Sequence, residues 1–344
     1  MTRNTLHNAE ERALKYVQKG WNTIYPIETY TQSAEDENKF EGKLPGEKST
    51  SFPHDLKGGN PLEVIRTTPY GNSITKDFAL KALENEKLGK NGSTDFLAIS
   101  FSSTDYVGHN FGPQSIELED TYLRLDKDIA EILTYLDVQY GKDQVLVFLT
   151  ADHAVAEVPG YANSKKLPGG VFDRNGSISD MKKAINQAFG NVDLLVGEEN
   201  SQLYFNHSLM TKMGIDSKKL FDVVRKSYQK QEGFSELINL QDIPSANLNA
   251  QYNQLIINGY HPARSGDFMI LLKPSWFMGS KTGTTHSTLY SYDTHVPLLF
   301  YGWKVKPSEI VKRTYISDIS VTLANWLHIM EPSGSIGNVI TQIP

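Results

Sequence analysis

Apolar residues fall into two kinds of run along this chain. Three runs are short and nearly continuous: Phe96-Leu-Ala-Ile-Ser-Phe101, Val145-Leu-Val-Phe-Leu149 and Val296-Pro-Leu-Leu-Phe-Tyr301. Bounded by polar loops, such runs predict buried strands. Between the first two, Ile116, Leu118, Tyr122, Leu125, Ile129, Ile132, Leu133 and Leu136 recur at helical spacing. Acidic residues lead this stretch and Gly141 follows it, so residues 115–139 predict a long amphipathic helix. Strand, long helix, strand reads as the βαβ unit of a parallel sheet. Residues 77–89 and, more weakly, 9–20 also read as helices. Ile316 to Leu327 reads as a closing amphipathic helix, with Asp318 serving its N-terminus. Residues 29–60 are polar and broken by Gly42, Pro45, Gly46, Pro53, Gly58 and Gly59, the pattern of a surface lid outside the core. Residues 200–280 alternate strand-like runs (Gln202 to Phe205, Phe268 to Leu272) with a helix-like one (Ser217 to Gln229), the pattern of an α+β cap inserted into the core.

Composition narrows the functional classes. The 344 residues are 39% hydrophobic and 22% charged, an ordinary globular profile. Acidic residues number 40 against 34 basic, for a net charge of -6, which argues against a phosphate-tracking nucleic-acid surface. No stretch approaches ~18 consecutive apolar residues, and no apolar run follows Arg3, so neither a membrane span nor a secretory signal is expected in the sequence as written. The cysteine count is 0, which excludes disulfides, thiolate metal sites and a cysteine nucleophile. A metal here must be held by imidazoles and carboxylates.

In open α/β sheets, ligands gather beyond the carboxyl ends of the strands, and the polar residues there form three clusters. Asp105 and His109 follow the first apolar run in what reads as its polar exit loop, four apart, a spacing that lets both side chains reach one ion. Asp152 and His153 follow the second run, and His286 closes Gly283-Thr-Thr-His286 just before the third. Singly, each has a plainer reading: a helix cap with a surface histidine, or turn chemistry. Together, oxygen and nitrogen donors without sulfur predict a metal site suited to catalytic Zn²⁺. His295 reads as packing or as support behind a ligand. His261 reads as a cap-loop residue, and Lys165, Lys166 and Arg264 as solvated surface with phosphate contact as the alternative. His7, His54, His207 and His328 attract no chemical assignment. The expected division is 1–90 lid and partial core, 91–199 metal-binding α/β core, 200–280 cap, and 281–344 return to the core.

The chain resembles the alkaline phosphatase superfamily, in the branch shared by phosphate-irrepressible bacterial alkaline phosphatases and type I phosphodiesterases/nucleotide pyrophosphatases. The resemblance is carried by Ser102-Ser-Thr-Asp-Tyr-Val-Gly-His109, Leu149-Thr-Ala-Asp-His153, Gly283-Thr-Thr-His286 and Tyr292-Asp-Thr-His-Val-Pro-Leu-Leu-Phe-Tyr-Gly302, and runs from about Thr67 to the end. It implies an α/β fold, a mostly parallel sheet flanked by helices with an α+β cap. It also implies two zinc ions: Asp105, His109 and His286 on one, Asp152 and His153 giving two ligands to the other. The family's second zinc further requires an Asp at the end of a first strand and a Thr or Ser nucleophile opening a helix. Neither is found before residue 95; Thr67-Thr68-Pro69 is the nearest imitation, but Pro69 and Tyr70-Gly71-Asn72 after it read as a turn and not as a helix. The resemblance is therefore to the C-terminal part of such an enzyme, with the N-terminal strands and the nucleophile missing. A full-length protein of this kind is expected to be periplasmic or secreted. The implied reaction is hydrolysis of small-molecule phosphate monoesters through a two-metal phosphoenzyme mechanism. The alternatives are a phosphodiesterase or nucleotide pyrophosphatase, or an inactive metal-binding fragment.

Overall fold

The structure, a computed structural model, describes residues 9–342. Helix α1 (Ala9–Lys19) is followed by a long irregular segment, the short helix α2 (Pro61–Val64) and helix α3 (Tyr70–Asn85). The segment expected to be a surface lid is largely exposed or half-buried but contributes several residues to the core. Leu44 and Leu56, with Trp21 ahead of them, are buried against Val107, Phe111 and Leu118, and Phe52 packs onto the same cluster. A few large apolar residues on an otherwise polar loop suffice to anchor it, and loop composition averages that signal away.

Helices α4 (Ser103–Phe111) and α5 (Ile116–Tyr140) come next, the second as the pattern predicts. The Ser115 hydroxyl caps α5 by accepting the Leu118 N–H at 3.1 Å, and Gly141 ends it at a φ of 90°, a conformation glycine adopts without steric cost. Strand β1 (Leu146–Thr150) follows. Helix α6 (Pro159–Ser164), strand β2 (Gly170–Val171) and helix α7 (Arg174–Phe189) lead into the inserted unit: β3 (Leu195–Glu199), β4 (Gln202–Phe205), α8 (His207–Met213), α9 (Ser217–Tyr228), β5 (Phe234–Asn239), α10 (Ala250–Gly259) and β6 (Phe268–Leu272). The chain returns through β7 (Trp276–Phe277), α11 (Ser291–Thr294), β8 (Leu298–Gly302) and α12 (Ser317–Leu327).

The inserted unit is a four-stranded sheet of order β3-β4-β6-β5, antiparallel at each junction. Its apolar cluster joins Leu203, Leu220, Val224, Tyr228 and Phe268 to Phe172, Met181, Ile185 and Leu194. The core of this unit thus draws on α7, upstream of the boundary expected at residue 200.

The α/β class holds, but the strands near the site do not form the parallel run expected. β1 and β8 pair antiparallel, Leu146 opposite Gly302 and Thr150 opposite Leu298, and the parallel pairing among the described residues is the short β2–β7 ladder. Residues 96–101 form no strand: Phe96 is 66% exposed, and its ring lies 6.2 Å from that of Phe148 on β1. The segment runs beside β1 without sharing its ladder. An apolar run encodes the tendency to be extended, but a strand also needs a neighbour for its backbone N–H and C=O groups, and the run does not encode that neighbour. At the far end Asp318 lies in the first turn of α12 but caps none of its N–H groups; Oδ2 accepts the Tyr315 N–H, ahead of the helix, at 2.9 Å. Its other oxygen holds the C-terminal segment by accepting the Asn338 N–H at 2.8 Å.

Candidate metal centre

The helical spacing of Asp105 and His109 places both on one side of α4, with Asp105 Oδ2 3.3 Å from His109 Nε2. The end of α4 is met by the loop of residues 283–288. His109 Nδ1 donates to the Thr284 carbonyl at 2.8 Å, and the Thr284 N–H returns a bond to the His109 carbonyl at 3.0 Å. This docking explains the glycine of Gly283-Thr-Thr-His286. Gly283 has a φ of 69°, and a Cβ there would lie 2.1 Å from the His109 carbonyl oxygen. No other residue permits so close an approach.

The loop then delivers His286, whose Nε2 lies 3.7 Å from Asp105 Oδ1. From the other side, the turn after β1 brings His153 Nε2 to 3.9 Å from the same oxygen. The His153 and His286 rings stack with centroids 3.4 Å apart and 14° between their planes. The Nδ1 atoms are engaged elsewhere: His153 Nδ1 with the Ala154 carbonyl at 2.9 Å, His286 Nδ1 with the Ser287 hydroxyl at 3.1 Å. A neutral imidazole that donates from Nδ1 presents a lone pair at Nε2, and a protonated one donates from both nitrogens. Nε2 atoms from His109, His153 and His286 therefore face one carboxylate, and donor atoms of Asp105, His153 and His286 all lie within 4.8 Å of one another.

The electrostatics favour an ionised Asp105 and a neutral His286, while in the metal-free chain they favour the protonated form of His109. Burial pushes the Asp105 pKa up, but the hydrogen bond with His109 and the charges of the imidazoles around it more than offset this and hold it below the ordinary carboxylate value. His109 is raised, chiefly by its bond to Asp105. His286 is lowered, by burial first and by neighbouring His153 next, so its neutral, ligand-competent form persists to lower pH.

Asp105, His109, His153 and His286 are thus brought together, as their clustering at run ends suggests. Their grouping differs from the one the resemblance implies, since His153 shares the Asp105 oxygen with His286. Asp152 lies at the edge: its side chain is 91% exposed, with Oδ2 3.7 Å from His153 Nε2. His295, expected to pack or to support a ligand, is exposed just after α11. Lys165, Lys166 and Arg264 are exposed, and His261 lies in the loop after α10. Thr68 is buried, its hydroxyl donating to the Ile65 carbonyl at 2.8 Å; Tyr70, Gly71 and Asn72, expected as a turn, instead open helix α3. His54, passed over in the sequence, is buried with Nδ1 2.8 Å from Glu47 and Nε2 3.0 Å from Glu117. Only its distant carboxylate partners reveal it, and those are not adjacent in the chain. His7 lies outside the described residues.

Residues 4–297 match the sequence model of the type I phosphodiesterase / nucleotide pyrophosphatase family. A protein named calcium-transporting ATPase from Myroides odoratus is 41% identical over 342 residues, 97% of this chain and 62% of that protein. Alkaline phosphatase PhoV from Synechococcus elongatus is 42% identical over 341 residues, 98% of this chain and 61% of that protein. The crystal structure of wild type alkaline phosphatase PafA superposes with a TM-score of 0.93 at 37% identity, covering 98% of this chain and 65% of that one. The chain thus spans about three fifths of the length of these curated relatives. Among the described residues no helix is long and apolar enough to cross a membrane. The matched sequence, the shared fold and the clustered donors together place this chain in the type I phosphodiesterase / nucleotide pyrophosphatase family, within the alkaline phosphatase superfamily.

Proposed function

We propose that this chain supplies the metal-binding part of a zinc-dependent phosphatase that hydrolyses small-molecule phosphate monoesters. The observation that carries this reading is the convergence of His109, His153 and His286 Nε2 on the Asp105 carboxylate. Imidazole and carboxylate donors without thiolate fit Zn²⁺ in a catalytic setting. The names of the relatives, alkaline phosphatases PhoV and PafA, favour phosphate esters as substrates.

In this reading Asp105, His109 and His286 hold one ion, and His153 with Asp152 contributes to a neighbouring one. The bound metal supplies Lewis-acid stabilisation of charge on the leaving oxygen and a readily deprotonated water. Asp105 contributes the negative charge that makes the site attractive to a cation. The imidazoles, held through Nδ1, keep their Nε2 lone pairs aimed inward. Thr68 is buried and committed to Ile65. The reading therefore assigns the Thr or Ser nucleophile to the part of its longer relatives that this chain does not span. A diesterase is the second reading, favoured by the name of the matched family.

Zinc titration of the purified chain tests the site. About one zinc per chain is expected to bind tightly, and His286→Ala is expected to abolish tight binding, because two remaining protein donors leave a largely hydrated ion. Unchanged affinity in His286→Ala overturns the assignment. Side-by-side hydrolysis of a phosphate monoester and a diester, by the chain fused to the remaining segment of a longer relative, separates the two readings.

A further inference from the structure

Asp293 is 2% exposed, lies in α11 and has no part in the chemistry above. Its Oδ2 accepts the Thr288 N–H at 2.7 Å, just beyond His286 in the chain. Its main-chain carbonyl accepts the Ala154 N–H, also at 2.7 Å, immediately beyond His153. Its own N–H is tied to the Tyr290 carbonyl at 3.0 Å, so the residue that holds both loops is itself fixed.

The two loops are joined a second time on the other side of His286. The Thr284 hydroxyl donates to the Ala156 carbonyl at 2.6 Å, and the Ala156 N–H to the Thr285 carbonyl at 3.2 Å. His286 therefore sits between two anchors, and Asp293 supplies the one that follows it. Between His286 and that anchor, Ser287 has a φ of 85°, a left-handed conformation that is strained for a non-glycine residue and persists only where its surroundings impose it. A strained turn held at one end only relaxes, and relaxation here swings the His286 imidazole.

We propose that Asp293 is a positioning residue for the metal centre: by bonding Thr288 through its side chain and Ala154 through its main chain, it sets His286 and His153 side by side with both Nε2 atoms facing Asp105. The inference rests on the metal-site reading above. It assigns the effect to the place of Oδ2 and not to the carboxylate's charge.

Two mild substitutions separate these. Asp293→Asn keeps an acceptor at the same place and loses the charge; Asp293→Glu keeps the charge and displaces the acceptor by one methylene. Zinc affinity is measured by competition with a chromophoric chelator, and exchange of the Thr288 and Ala154 backbone amides by NMR. In the unsubstituted chain both amides are expected to exchange slowly. Asp293→Asn is expected to hold zinc within about threefold of the unsubstituted chain, and Asp293→Glu about tenfold or more weaker with faster exchange at Thr288. Undiminished zinc affinity in Asp293→Glu, or an equal loss in Asp293→Asn, overturns the proposal. So does free exchange of Thr288 in the unsubstituted chain, which decides the matter even if Asp293→Glu fails to fold. If the unsubstituted chain binds no zinc, the metal-site reading fails, and amide exchange alone still judges whether Asp293 clamps the two loops.

Discussion

His153 and His286 lie face to face, 3.4 Å between ring centroids and 14° between planes, although they are far apart in sequence. Stacked imidazoles cannot both be protonated cheaply, because like charges at that separation repel. In the metal-free chain His286 is therefore expected to titrate below the ordinary histidine value of about 6.5, in line with the lowering that burial and His153 impose on it. The test is an NMR titration of the His286 ring protons. A midpoint at or above the ordinary value contradicts the stacked geometry.

His286 also offers a test of chemistry. In an enzyme completed with the remaining segment of a longer relative, a zinc held by Asp105, His109 and His286 is assigned to the leaving oxygen. Loss of the imidazole should then cost most where the leaving group is poor. His286→Ala is expected to slow esters of basic alcohols about tenfold more than esters of acidic phenols, read as a steeper dependence of rate on leaving-group pKa. Equal losses across the series remove that role from this site.

A third expectation concerns pH and stability. Glu41 is 4% exposed and has a buried oxygen without a partner; burial, then the charge of Glu117, raise its pKa to about 9. Burial lowers the His54 pKa, but its bonds to Glu117 and Glu47 outweigh this and leave it raised. A raised folded-state pKa means that the folded chain binds its proton more tightly than the unfolded one. The stability so gained is full below the unfolded-state pKa and is lost as pH rises through the folded-state value. For Glu41 that window runs from the ordinary carboxylate range to about 9. The melting temperature should fall across it, and Glu41→Gln, which has no charge to bury, should melt about 2–4 °C higher than the unsubstituted chain at the alkaline end. At pH 5 the two should match. Parallel pH profiles for both proteins count against Glu41 as the source.

His54 itself is enclosed by Trp21, Phe52 and Phe111, with ring centroids 5.3, 4.7 and 5.6 Å away. Glu117, bonded to it, is fully buried. Removing the imidazole leaves a buried carboxylate unpaired as well as a cavity, so His54→Ala is expected to lose about 3–5 kcal/mol of stability, measured by urea unfolding. A loss below about 1 kcal/mol means that the pair contributes little.

The extended segment of residues 96–101 and strand β8 present apolar surface: Phe96 is 66% and Leu299 60% exposed. Exposed apolar strands with free edges promote association. The isolated chain is expected to self-associate with rising concentration, read by analytical ultracentrifugation, and Leu299→Lys to reduce that association without lowering the melting temperature. A strictly monomeric chain at high concentration removes this surface as an association site.

The sequence by itself determined the elements whose signal is local. The periodicity of residues 115–139 specifies α5 because an amphipathic helix needs only its own spacing, a capping Ser115 and a terminating Gly141. The candidate donors could be picked out for a similar reason: Asp105, His109 and His153 follow apolar runs and His286 precedes one, the places where an α/β core gathers its polar chemistry. The tertiary structure decided what depends on partners distant in the chain. Residues 96–101 carry a strand's composition but no ladder; β1 and β8 run antiparallel because the path between them, not their residues, sets direction. Leu44 and Leu56 make core of a polar loop because Val107, Phe111 and Leu118 await them. Asp293 illustrates the limit most sharply. Its identity was visible in Tyr292-Asp-Thr-His, but its place between Thr288 and Ala154 exists only once two loops fold together, since a hydrogen bond is set by the distance between atoms and not by the spacing of their residues.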